Sequence, residues 1–315
     1  MAPARLVFEK NLPDPFVLNV PGGYELYASQ TGIPSPIVPT AFSTTPGHWP
    51  APHSAMPAVP AWATLGFTWA PDVRHVDGRY VMYFDSIARP SLYLDRTASG
   101  FSRFAQCIGV ATSIAPGGPF VGRRTPLICD FRAHGDIDPR TFLASNGRLY
   151  LDWKSDDNAA YPSSFPPTHL YAQRLSDDGL SLDGPPHLLM SAVEKWQEEI
   201  VEAPDMVEVR GRYWLFYSGS WFDSGTYGIG VAHCSGPIGP CRDLSPVRPW
   251  IASNRQGMGP GEESLFEARN GQWWMLYSLW YFGWLGRSSR PVAMAPLGFS
   301  IRGPYVAALP ATVTS

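Results

Sequence analysis

Three acidic residues stand at comparable points of a recurring phrase: Asp14 in "LPDPF", Asp138 in "GDIDPRTF" and Glu202 in "IVEAPDM". Each lies in apolar company, meets a proline within two residues, and opens a strand-like run. Carboxyl groups gathered in a partly dry place repel one another, so at least one pKa must rise. A protonated carboxyl beside an ionised one is what hydrolysis of a glycosidic bond requires, one donating a proton to the leaving oxygen while the other attacks or activates water. Glu202, preceded by Ile200 and Val201 and longer in reach, suits the acid. Asp14 suits the base, and Asp138 suits orienting the acid and raising its pKa through like charge. Taken singly, an Asp-Pro reads as a turn opener whose carboxylate caps local amides. Recurrence is what favours chemistry.

The elements that would gather these acids come as five copies of one pattern: acid or Asp-Pro, short apolar strand, Gly-containing turn, aromatic-rich strand. They are "DPFVLNVPGGYELYAS", "APDVRHVDGRYVMYFDS", "IDPRTFLASNGRLYLDWKS", "EAPDMVEVRGRYWLFYSGS" and "GEESLFEARNGQWWMLYSLW". Their spacing of roughly sixty residues is within reach of propeller-type repeats. Gly22-Gly23, Asp77-Gly78, Asn146-Gly147 and Asn270-Gly271 suit tight hairpin turns, and Arg210-Gly211 is a looser version. Both faces of each second strand are bulky, as in Tyr213, Leu215, Tyr217 against Trp214, Phe216, so these strands are buried on both sides. Intervening pieces such as "YGIGVAHCSGPIGP" complete blades of about four strands. The expectation is an all-β, five-bladed β-propeller occupying 1–315 as a single domain, with the innermost strands converging on a central channel.

In the second copy the place of the acid falls to Trp69, an aromatic suited to lining a sugar site; Phe16 and Trp221 are further candidates for stacking on a ring. Asp72 and Asp205 recur inside the repeat and read as structural, while His75 and His134 read as lone histidines outside a site. "SAVEKWQEEIVE" has helical spacing, but Pro204 forbids carrying a helix past Glu202. The Pro-rich segment 32–64 lacks strand periodicity and reads as a long loop, on the surface or in the cleft wall.

A net charge of −3 without any Lys/Arg block argues against nucleic acid as a partner. No apolar run approaches the length of a membrane span. The four cysteines form two local couples, Cys107 with Cys129 and Cys234 with Cys241, without zinc spacing. Two disulfides or four buried thiols both suit that arrangement. "MAPARLVFEK" lacks a signal-peptide core; a secreted or extracytoplasmic protein whose leader is absent from this sequence is the expectation, the cytoplasm the alternative.

In "PDPFV", "WAPDV", "IDPRTF", "EAPDMV" and "YWLFYSG", in that order, the chain resembles glycoside hydrolase family 43 and its five-bladed propeller neighbours, from about residue 11 to 300. The resemblance implies an inverting hydrolase of pentosides: an α-L-arabinofuranosidase, with β-D-xylosidase as close second. It puts water activation on Asp14, pKa modulation on Asp138 and the acid on Glu202. Likeness of "RPVAMAPLGF" to the family's last strand makes Arg290 a candidate reaching into the site, with Arg287 as rival. Two departures stand out. Ala203 replaces the glycine of "EGP", and "GPGEES" replaces "GHHS" or "GHNS", whose histidine is tied to calcium in the family. Glu262, standing in the histidine's place, could ligate calcium directly or pair with an arginine and dispense with metal. The chemistry itself needs no cofactor, and the partner implied is an oligo- or polysaccharide. A non-catalytic glycan-binding propeller is the alternative that the altered fifth motif favours. A fructan hydrolase would need "NDPNG" and "EC" motifs that are absent, and an interaction scaffold would need a large apolar patch. Pentose, linkage, exo or endo action and oligomeric state stay open.

Overall fold

The structure, a computed structural model, describes residues 4–89, 105–160, 166–255, 257–280 and 289–307. β1 (Arg5–Phe8) is followed by blade I: β2 (Phe16–Val20), β3 (Gly23–Tyr27), β4 (Pro39–Ser43) and β5 (His53–Ser54). Blade II comprises β6 (Ala63–Val76), β7 (Arg79–Ala88), β8 (Gln106–Ser113) and β9 (Val121–Gly122). Blade III comprises β10 (Asp136–Leu143), β11 (Leu149–Ser155), β12 (His169–Leu175) and β13 (Leu182–Ser191). Blade IV comprises β14 (Val201–Val209), β15 (Arg212–Gly219), β16 (Gly228–Cys234) and β17 (Cys241–Asp243). Blade V comprises β18 (Met258–Glu267), β19 (Trp273–Trp280) and β20 (Val292–Ser300), with β21 (Gly303–Val306) also pairing with β20. Within each blade successive strands pair antiparallel, and β18 touches β2, so that the blades form a ring. The fold is a five-bladed β-propeller.

The ring is locked by its first strand. β1 pairs with β20, placing Leu6 opposite Ala293, so blade V is built from both ends of the chain. Apolar layers fill the gaps between neighbouring blades. Phe84 and Phe120 pack with Phe16 and Tyr27 between blades II and I, while Leu26 and Leu276 pack between I and V. Turn chemistry behaves as the residues dictate: Asp77 and Gly78 (φ 48° and 75°) and Arg210 and Gly211 (φ 54° and 70°) are left-handed in pairs, as a tight hairpin requires.

The cysteines form two disulfides, Cys107–Cys129 and Cys234–Cys241, the latter joining residues directly opposite on β16 and β17. Two expectations need correction. The segment 32–64 is more than a loop, since it supplies β4 and β5, the outer half of blade I. Pro39 opens β4 and β5 lies at the sheet's edge, where missing amide donors are tolerated. The helical reading of "SAVEKWQEEIVE" shrinks to one 3₁₀ turn, Lys195–Gln197, because Glu198 and Glu199 are left-handed (φ 48° and 66°) and stop it.

Candidate active site

Asp14 (φ 56°), just before β2, and one residue within each of the other innermost strands, Ala70 (44°), Asp138 (55°), Ala203 (50°) and Glu262 (54°), are in the left-handed region. In blades II to V the pairing of first and second strands slips around this residue, a bulge that re-aims the adjoining side chains. The repeat position therefore belongs to Asp14, Asp138 and Glu262, and the expected equivalence of Glu202 with the two aspartates is corrected. Glu202 lies one residue earlier, where Trp69 and Ile137 lie in their own blades.

The bulges are held by the preceding blades. Ser278 Oγ accepts from the Asp14 amide (3.2 Å), Ser29 Oγ from Ala70 (2.8 Å), Asp85 Oδ2 from Asp138 (2.9 Å) and Ser218 Oγ from Glu262 (2.9 Å). Asp85, Ser218 and Ser278 each pair with the residue just before the bulge of their own blade, and in blade III that place is taken by Lys154. An ammonium cannot accept a hydrogen bond. Asp138 Oδ2 accepts the Ala203 amide instead, at 3.0 Å. This leaves the Lys154 ammonium for Glu202 Oε2 at 3.0 Å and Asp156 Oδ1 at 3.4 Å.

Asp14, Asp138, Glu202 and Glu262 line one cavity of about 420 Å³ together with Trp69, Trp221 and Arg290. Burial raises the pKa of Asp14, opposed by the Arg290 guanidinium 3.5 Å away and by the Ser29 hydroxyl, which donates to it. Burial, then the charge of Glu202, pushes Asp138 up to about 7, with Lys154 pulling the other way. Glu262 is pushed well above its ordinary range by burial and then by Asp138, Asp14 and Glu202. Tyr227 Oη lies 2.7 Å from Glu202 Oε1 and 2.9 Å from Glu262 Oε1. A phenol has one proton, so satisfying both contacts takes a second one, carried by one of the two glutamates.

Arg290 is wedged among the rings of Phe222, Trp280 and Tyr227, 5.6 to 5.9 Å from their centres. Its rival Arg287 lies outside the described residues. Phe16 does not reach this cavity; it is buried and lines a separate depression with Asn19, Arg74 and Asp205. It is two residues beyond Asp14, in a second layer where Arg140 stacks over it (5.2 Å) and lies 3.9 Å from both Asp72 and Asp205. Asp72 and Asp205 also bind the next blade, accepting from the Thr141 hydroxyl and the Leu265 amide. Lys154, Tyr227 and Asp85 were missed by sequence reasoning. A lysine inside the buried strand "LYLDWKS" was the one legible signal among them.

Oxygens of Asp138, Glu202 and Glu262 lie within 4.8 Å of one another, a buried acidic cluster of the kind that could bind a metal. Its carboxylates suit calcium in donor type, with water or carbonyl oxygens completing a shell of roughly six to eight, while the Lys154 ammonium on Glu202 and the Tyr227 hydroxyl on both glutamates compete for the same oxygens.

The sequence matches Glycosyl hydrolases family 43 over residues 4–282, so the chain belongs to that family and is a glycoside hydrolase. Its fold is similar to a thermostable family-43 glycoside hydrolase (23% identity, TM-score 0.79, covering 95% of this chain and 93% of that one). It is also similar to an endo-1,4-beta-xylanase from Bacteroides thetaiotaomicron (19%, 0.77, 98% and 97%) and an alpha-L-arabinofuranosidase from Lactobacillus brevis (18%, 0.71, 95% and 94%). A comparison with curated proteins finds no match. Likeness at such identities speaks for the fold, while family membership speaks for the class. The binding-only reading yields to it.

Proposed function

We propose that the protein is an inverting, exo-acting glycosidase releasing terminal pentose units, α-L-arabinofuranosyl first and β-D-xylosyl as close rival. The observation that carries this reading is the placement of Asp14 and Glu202 on one cavity from blades I and IV, with Asp138 bonded to the amide beside Glu202. In this reading Arg290 and Ser29 favour the ionised form of Asp14, which takes a proton from water as the water attacks the anomeric carbon. Glu202 gives its proton to the leaving oxygen as that bond breaks. Asp138 keeps the acid in place through the Ala203 amide and adds negative charge beside it. Trp69, Trp221 and Trp280 offer apolar faces to the sugar. The pentose preference rests on family and on relatives described as xylanase and arabinofuranosidase. Two disulfides support an extracytoplasmic setting.

The test is Glu202→Ala assayed on aryl arabinofuranosides and xylosides and on natural glycans. Loss of a general acid costs about 10²- to 10⁴-fold, and the loss should be smaller on aryl substrates, whose leaving groups need little protonation. Undiminished activity on both would remove Glu202 from the role. Proton NMR of the first-formed anomer reads the stereochemistry, and retention would contradict direct single displacement by water.

A further inference from the structure

The cavity has two unlike walls. Blades IV and V contribute Trp221, Phe222, Trp280 and Arg290, whereas blades II and III contribute Gln106, Asp156 and Asn158. On the second wall Gln106 Oε1, Asp156 Oδ2 and Asn158 Oδ1 are shielded from solvent and lack a hydrogen-bond partner. Asp156 is only 2% exposed. Buried polar atoms without partners are costly to leave unsatisfied, so a wall carrying three of them is matched to a ligand that donates.

The backbone holds this wall together. Gly135 bridges to Gln106 in parallel, and its carbonyl accepts the Asp156 amide at 2.9 Å. Gly135 has φ 126°, and a Cβ there would lie 2.2 Å from the Gln106 carbonyl oxygen, so only glycine lets the two sides approach this closely. The wall also has a direction. Lys154 spans Asp156 and Glu202, so the unpartnered oxygen of Asp156 belongs to the side of the cavity nearest the proton donor. The donor faces the leaving oxygen, and the sugar attached beyond that oxygen is the one that departs.

We propose that Gln106, Asp156 and Asn158 form a subsite that hydrogen-bonds the hydroxyls of a neutral sugar on the leaving side of the scissile bond. This rests on Glu202 being the acid. A hydroxyl both donates and accepts, which suits the amides of Gln106 and Asn158 in either orientation, while the carboxylate of Asp156 repels a uronic acid or a sulfated sugar. The subsite selects against leaving groups without hydroxyls and against anionic ones.

The experiment compares Asn158→Leu and Gln106→Leu with wild type on two substrates: a neutral pentose disaccharide (xylobiose or arabinobiose) and the nitrophenyl pentoside of the same sugar. Loss of one hydrogen bond in a desolvated site corresponds to about tenfold, so kcat/KM on the disaccharide should fall about tenfold, mostly through KM. On the nitrophenyl pentoside the fall should stay within about threefold. Gly135→Ala should show the same selective loss. Equal falls on both substrates, or none, overturn the subsite. If wild type cleaves no pentoside, the proposed function fails, and calorimetric binding of the disaccharide then decides the subsite alone. Weaker binding to Asn158→Leu than to wild type upholds it; equal binding, or none to either, ends it.

Discussion

Lys154 shows how one residue type rearranges its surroundings. Where blades II, IV and V place Asp85, Ser218 and Ser278 to accept a neighbouring amide, blade III has a donor, and Asp138 takes over the accepting role. The lysine is 1% exposed. Burial alone would lower its pKa, but Glu202, Asp156 and Asp138 together hold it above the ordinary value, so it stays charged. Lys154→Met leaves Glu202 and Asp156 facing one another without a cation. Breaking a buried pair this way costs about 3–5 kcal/mol, and urea unfolding should register a loss of that order. A change below about 1 kcal/mol, the worth of an exposed pair, would show that the contact does little.

The bulge in the inner strands of blades II to V is the element on which most of these acids depend. Ala203 is left-handed, a conformation that costs an L residue roughly 1–2 kcal/mol, and it is tied to Asp138 through its amide. Ala203→Gly should keep activity, since glycine accepts positive φ freely. Ala203→Val removes no carboxylate, yet a β-branched side chain is a severe outlier there. The strand must shift by the bulged residue and carry Glu202 with it. Activity on glycosides with poor leaving groups should fall at least as far as about tenfold, a modest share of what a general acid supplies. Equal rates for the Val and Gly variants would show that the bulge does not place the acid.

For the molecule as a whole, the hub gathers carboxyl groups faster than it gathers cations. Burial, opposed by Arg140 and the Leu265 amide, moves Asp205 up to about 6. Burial, opposed by hydrogen bonds from the Asp130 amide and the Trp153 indole, moves Asp136 to about 7, and burial against the Ser218 hydroxyl moves Glu263 to about 8. In the unfolded chain such groups titrate near about 4. Between those values the folded protein holds protons that the unfolded chain has released, so raising the pH favours unfolding. The melting temperature should fall by several degrees between about pH 5 and about pH 8, read by scanning calorimetry. A rise across that window would mean these carboxyls are ionised in the folded state.

The repeat, its turns and the class of chemistry were legible along the chain because they are local. Asp77-Gly78 specifies its own hairpin, and Asp14 and Asp138 announce themselves by the proline directly after each. Spacing between copies then implied a ring, and a ring implied convergence. What could not be read was which residue of each copy occupies the bulge, because a bulge displaces the register by one residue and turns neighbouring side chains to different faces. That choice is made by contacts between blades, such as Ser218 with the Glu262 amide or Asp138 with Ala203, whose partners lie far apart in sequence. The same distance hid Phe16, which reads as a site aromatic beside Asp14 but turns away into the layer of Arg140, and Tyr227, whose hydroxyl meets two glutamates from different strands. Side-chain direction is set where chain segments meet, and that meeting exists only in the folded ring.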